Sequence, residues 1–177
     1  MAIAELLLDK RYEFGADPLD NPELEHDTTN CRRAAQVFYF VAFGMRIKPS
    51  EILSAESYDD PRSVVWKNTF GHTITSDAFP PHLTFGDLIH AERKKRRGSN
   101  RNSDNWKKML HLGIYIGKAG DETAQEYFPS LKNFQPDSTL ILHSSPTIGK
   151  TGLSTLEQFL ENYNPIRATR IPDRFRE

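Results

Sequence analysis

The sequence predicts an α+β protein, and three observations carry that expectation. Apolar residues recur at helical spacing through residues 29–44. They alternate with a period of two through residues 110–117 and again through 138–143, the pattern of strands with one apolar face. The helical patterns come first and the strands after them, with one more helical pattern at residues 154–163. Helices followed by a run of antiparallel strands give layers, with the first helix packed on a central sheet.

Taken in order, residues 2–8 read as a first short helix leading into Tyr12. In 29–44, Thr29 or Asn30 can cap a helix by accepting a free backbone N–H, and Gly44 suits the left-handed residue that ends it. Cys31, Ala34, Ala35, Phe38, Val41 and Ala42 fall on one face, so that face is buried with Cys31 in its first turn. Residues 49–53 open a short helix, and 58–81 are irregular, with Trp66, Phe70 and Phe79 as core or cleft aromatics. A strand is expected at 85–89. The stretch 93–108 is a polar hairpin loop carrying Arg93, Lys94, Lys95, Arg96, Arg97, Arg101, Lys107 and Lys108. It is either a solvated connection or an arm that grips an anionic polymer. The connection 118–138 reads as an insertion between two strands, either a lid or binding loop or a solvated hairpin decoration. Ser154 and Glu157 form a capping box that opens a helix with Leu156, Phe159, Leu160 and Tyr163 on one side, ended by Asn164-Pro165.

Composition fits a single domain over 1–177. Hydrophobic residues make up 37% and charged residues 27%, enough for one packed core in a globular chain. A net charge of -1 gives no overall attraction to nucleic acid, and no nucleic-acid motif is present. One cysteine excludes an internal disulfide framework. No apolar run approaches membrane-spanning length. Residues 2–8 are too short and too acidic for a secretory signal, so the expected location is cytoplasmic unless the chain is trimmed or exported by another route. There are no internal repeats.

The chemistry lies in Cys31, His111 and His143. A thiol in the first turn of a helix feels the positive end of the dipole and the unpaired N–H groups, and both favour the nucleophilic thiolate. His111 alternates with the apolar residues of 110–117, and Gly113 leaves space beside it on the same face. Thr139, Ile141 and His143 share a face of the next strand. A helix-start cysteine followed by two strand histidines is the order that a cysteine hydrolase needs. A metal site from the same three residues is conceivable, but they lack close-spaced ligand pairs, so neither metal nor cofactor is expected. His26, His72, His82 and His90 have no comparable context, and Asp87 reads as a structural hydrogen-bonding residue.

These residues resemble the NlpC-type cysteine peptidases, bacterial cell-wall hydrolases with a trimmed papain-like fold. The segment from Tyr12 to Gly15 is similar to the tyrosine-glycine segment ahead of the family's nucleophile. Asn30-Cys31-Arg32 stands at the nucleophile motif, and Phe85-Gly86-Asp87-Leu88-Ile89 matches the glycine-aspartate-leucine strand. The stretch from His111 to Gly117 matches the base-bearing strand, and Leu142-His143-Ser144-Ser145, followed by Gly149 and Gly152, resembles the strand with the third polar residue. The resemblance implies N-terminal helices packed on an antiparallel sheet, with Cys31 as nucleophile, His111 as base and His143 as its orienting partner. It implies Tyr12, Asn30 and Arg32 as substrate contacts and a peptidoglycan stem peptide cut after a D-glutamyl residue. The family usually has aspartate and serine where this chain has Asn30 and Arg32, which bears on the substrate rather than the chemistry. Two further readings stand beside it: an amidase or acyl-transfer enzyme on another amide or thioester, and a non-catalytic domain that binds through the basic loop.

Overall fold

The computed structural model describes residues 3–13, 28–47, 64–68, 73–94 and 110–170. Their backbone is α+β. The strands are β1 (Arg11–Tyr12), β2 (Thr28–Thr29), β3 (Val64–Lys67), β4 (Leu88–Arg93), β5 (Leu110–Lys118), β6 (Thr139–Ser145), β7 (Lys150–Thr155) and β8 (Tyr163–Thr169). The α-helices are α1 (Cys31–Phe43), α2 (Glu122–Tyr127) and α3 (Leu156–Asn162). The strands form one sheet in the order β2-β1-β7-β6-β5-β4-β8-β3, antiparallel throughout except for the parallel pair β1 and β2.

The pleat divides the interior into two layers. Leu112, Ile114, Ile116, Leu140 and Leu142 face α1 and join Ala35, Val37 and Phe38 in one core. Ile89, Ala91 and Ile141 face α3 and join Leu156, Phe159, Leu160 and Tyr163 in the other. Helix α1 is buried without a break from Ala34 to Tyr39, more than the single face expected, because connections cover its far side. Gly44 closes it at φ 68, as its position predicts.

Several expectations are corrected. The first helix is one 3-10 segment, Ile3–Leu7. The connection 118–138 is not a solvated decoration: it carries α2 and a 3-10 segment, Pro129–Asn133, and it buries Phe128 and Leu131 completely. Phe128 stacks on Phe38 of α1, with ring centroids 6.3 Å apart. Asn164-Pro165 does not end α3, which stops at Asn162; both residues lie in β8, inserted between β4 and β3. The capping box sits one residue later than predicted, with Thr155 as cap and Gln158 as its partner. Trp66 and Phe79 pack together at 6.2 Å, while Phe70 and the short helix expected at 49–53 lie outside the described residues.

Candidate active site

Strand alternation sets the two histidines. On β5, His111 faces α3 because Leu112 and Ile114 face α1, and on β6 His143 shares the face of Ile141. His111 Nε2 lies 2.9 Å from His143 Nδ1, and His143 Nε2 lies 2.9 Å from Ser154 Oγ. All three residues are buried. The Tyr163 ring lies flat against the His111 ring, with centroids 4.0 Å apart and planes 13° apart. Phe159 meets His143 edge-on at 5.2 Å. The space expected beside Gly113 is taken: a Cβ there would meet Ile141 Cγ2 at 2.7 Å and Phe159 Cε2 at 3.2 Å. Glycine at 113 lets Phe159 close over the histidine face rather than opening it to a ligand.

Cys31 enters the same end of β5 from the other layer. Its helix start is fixed by Asn30, whose side-chain oxygen accepts the N–H groups of Arg32 and Arg33, each at 3.0 Å. Such a cap contributes about 1 kcal/mol. The structure gives Asn30, expected as a substrate contact, a role in capping the helix that begins at Cys31. Cys31 is partly accessible and packs against the α1-side core. The pairing of β5 with β6 runs from Lys118↔Thr139 only to Ile114↔Leu142, so Leu112 lies beyond it. The Leu112 N–H, one residue from His111, acts on the Cys31 sulfur and favours its charged form.

The electrostatics overturn the expected thiolate. Burial pushes the Cys31 thiol up; the N–H of Leu112, the Arg32 charge and the first-turn N–H groups pull it back without cancelling that effect. Burial also holds His111 well below its ordinary value, with His143 and Arg93 adding to the effect, and it holds His143 down to about 4. Burial thus favours the neutral thiol of Cys31 and the neutral imidazoles of His111 and His143.

Of the other predicted residues, Tyr12 lies within electrostatic reach of Cys31, Tyr163 and Arg93, with burial raising its phenol first of all. Arg32 acts on Cys31 through its charge. Asp87 is structural, as expected: it is buried and accepts both Nε and Nη2 of Arg170 at 2.8 Å and the Thr84 N–H at 2.8 Å. His90 is buried, with Nε2 2.9 Å from Thr169 Oγ1, and is held down to about 3 by burial and then by Arg167. Arg93 and Lys94 are the described part of the basic loop. Lys95, Arg96, Arg97, Arg101, Lys107 and Lys108 lie outside the described residues, as do His26 and His72. A cavity of about 590 Å³, lined by Phe85, Tyr115, Asp121 and Glu122 among others, lies at the opposite end of β5 from His111. Among the described residues no His, Cys, Asp or Glu group forms a metal site, and no helix is long and apolar enough to cross a membrane.

Sequence reasoning missed Ser154 and Tyr163. The predicted capping box assigned Ser154 to the start of α3, and the helical pattern assigned Tyr163 to its buried face. The period-two spacing of Gly152 and Ser154 opposite the His143 strand was the available signal for the first. No protein-family model matches the chain, and a search of curated proteins finds no match.

Proposed function

We propose that the chain is a cysteine hydrolase of the NlpC type, with a papain-like arrangement of Cys31, His111 and His143. The observation that carries this reading is the hydrogen-bond chain from His111 through His143 to Ser154, with its His111 end next to Leu112, whose backbone N–H acts to lower the Cys31 thiol. His143 occupies His111 Nε2, so this reading assigns the thiol proton to His111 Nδ1. Cys31 Sγ attacks the amide carbonyl carbon while its proton passes to Nδ1, so the thiolate forms only as the new S–C bond does. The Cys31 N–H donates to the developing oxyanion. Nδ1 then returns the proton to the leaving amine, and a thioester remains. Water, giving its proton to Nδ1, releases the acid and restores the thiol. His143 holds the His111 ring and stabilises its cation, as the third member of a triad does.

Peptidoglycan stem peptides are the proposed substrate, on the resemblance of the motifs around Cys31 and His111. Incubation with purified peptidoglycan and mass analysis of the fragments tests this. Cleavage after the D-glutamyl residue is expected, and Cys31→Ala should abolish it. His111→Ala should lower turnover at least about hundredfold, the scale of a lost general base. Release of small amides without peptidoglycan fragments would move the assignment to an amidase or acyl-transfer enzyme. Binding of polymer without release of either product would make the chain a binding domain.

A further inference from the structure

We infer that Ser154 is a positioning residue that keeps His111, through His143, in the tautomer able to take the Cys31 proton. The inference rests on the catalytic reading above. A neutral imidazole has one N–H and one lone pair. To accept a proton at Nδ1, His111 must carry its own on Nε2. That N–H donates across 2.9 Å to His143 Nδ1, which must then be the acceptor. His143 accordingly carries its proton on Nε2 and donates across 2.9 Å to Ser154 Oγ. The chain has one productive polarity. In the opposite one, His143 Nδ1–H donates to His111 Nε2, and His111 presents an N–H rather than a lone pair to the thiol.

Burial makes the serine oxygen matter. His143 is 3% exposed and Ser154 is 5% exposed, and Phe159 and Tyr163 cover the histidine rings. Without an acceptor at position 154 the productive polarity leaves the buried His143 Nε2–H unpaired, whereas the opposite one leaves a bare nitrogen there and carries its outer N–H on His111 Nδ1, where this reading sets the sulfur as acceptor. The first costs more, so the balance moves toward the inactive form. The same oxygen supports the cation formed on His111, because polarised hydrogen bonds spread the charge along the chain.

Two isosteric variants isolate the hydroxyl. Ser154→Thr keeps it and Ser154→Val does not, and both add the same bulk. In the full-length protein with 15N-labelled histidine, the wild type and Ser154→Thr should show His111 and His143 protonated on Nε2 at neutral pH. Ser154→Val should show a population of the Nδ1 form. Alkylation of Cys31 by iodoacetamide forms the S–C bond, releases iodide and sends the thiol proton to His111. Its rate should fall about tenfold in Ser154→Val, the equivalent of one lost hydrogen bond, and stay near wild type in Ser154→Thr. Ser154→Ala serves the same comparison if the bulkier variants do not fold. Two results overturn the inference: His143 protonated on Nδ1 in the wild type, or hydroxyl-free variants with unchanged tautomer and rate. Failure to cleave peptidoglycan would instead refute the substrate assignment and leave both readouts standing.

Discussion

Three buried neutral histidines make this fold sensitive to mild acid. Burial holds His90 down to about 3 and His143 down to about 4, and it holds His111 well below its ordinary value. In the unfolded chain each returns to about 6.5. The unfolded state therefore binds more protons wherever the pH lies below about 6.5, so stability is complete above that value and is lost as the pH falls toward 4. At about pH 4.5 an unfolded histidine is two units below its ordinary value, which is about 2.7 kcal/mol per site. His90 and His143 together then forfeit about 5 kcal/mol, against a total of about 5–15 kcal/mol for an ordinary domain. Urea unfolding followed by far-UV circular dichroism, at matched ionic strength between about pH 7.5 and about pH 4.5, measures this directly. His90→Asn cannot titrate and can still bond Thr169, so it should recover about 2–3 kcal/mol of the acid loss. A wild-type stability that changes by less than about 1 kcal/mol over this range would refute the burial argument for all three histidines.

Three further outcomes follow from particular contacts. The pH dependence of Cys31 alkylation should have its midpoint above that of a free thiol, because burial raises the group; a midpoint below neutrality would show a preformed thiolate-imidazolium pair. Tyr163→Phe keeps the stack on His111 and removes a buried hydroxyl that has no hydrogen-bond partner among the described residues, so its melting temperature should be equal to or above wild type. A loss of several degrees would reveal a partner for that hydroxyl. Gly86→Ala should destabilise by about 2–3 kcal/mol in a chemical denaturation series, since Gly86 has φ +90 and a Cβ there would stand 2.8 Å from Phe43 Cζ.

What the sequence made legible was local. The helix from Cys31 to Phe43 carries its own start and stop signals in Asn30 and Gly44, and the period-two runs set His111 and His143 each opposite the leucines of its own strand, while the β5–β6 register brings them onto one face. What stayed hidden depended on distant partners. Asn164-Pro165 looks like a helix stop, yet Pro165 lies inside a strand. The register shift between His90 and Ala91, opposite Arg167 and Pro165, supplies the bulge that accommodates it. Ser154 fits a capping pattern one residue out of place, and only the pairing of β6 with β7 shows that its hydroxyl serves His143. The expected thiolate failed for the same reason. A helix terminus is visible in sequence, but the burial that outweighs it comes from the packed layers around it.

The layering also explains why the end of a strand pairing matters to the chemistry. The histidines belong to the α3 layer and Cys31 to the α1 layer, and a continuous sheet would stand between them. The β5–β6 pairing stops at Ile114↔Leu142, and residues 29–31 fill the gap beyond it. Ser144, the β6 residue that would face Leu112 had the register continued, lies with its hydroxyl 3.4 Å from the Thr29 carbonyl instead. The Leu112 N–H acts on the Cys31 sulfur. Two more paired residues would consume that N–H and close the sheet between thiol and imidazole. The early end of the ladder, together with the Asn30 cap, is therefore what sets the first side chain of α1 against the Leu112 backbone.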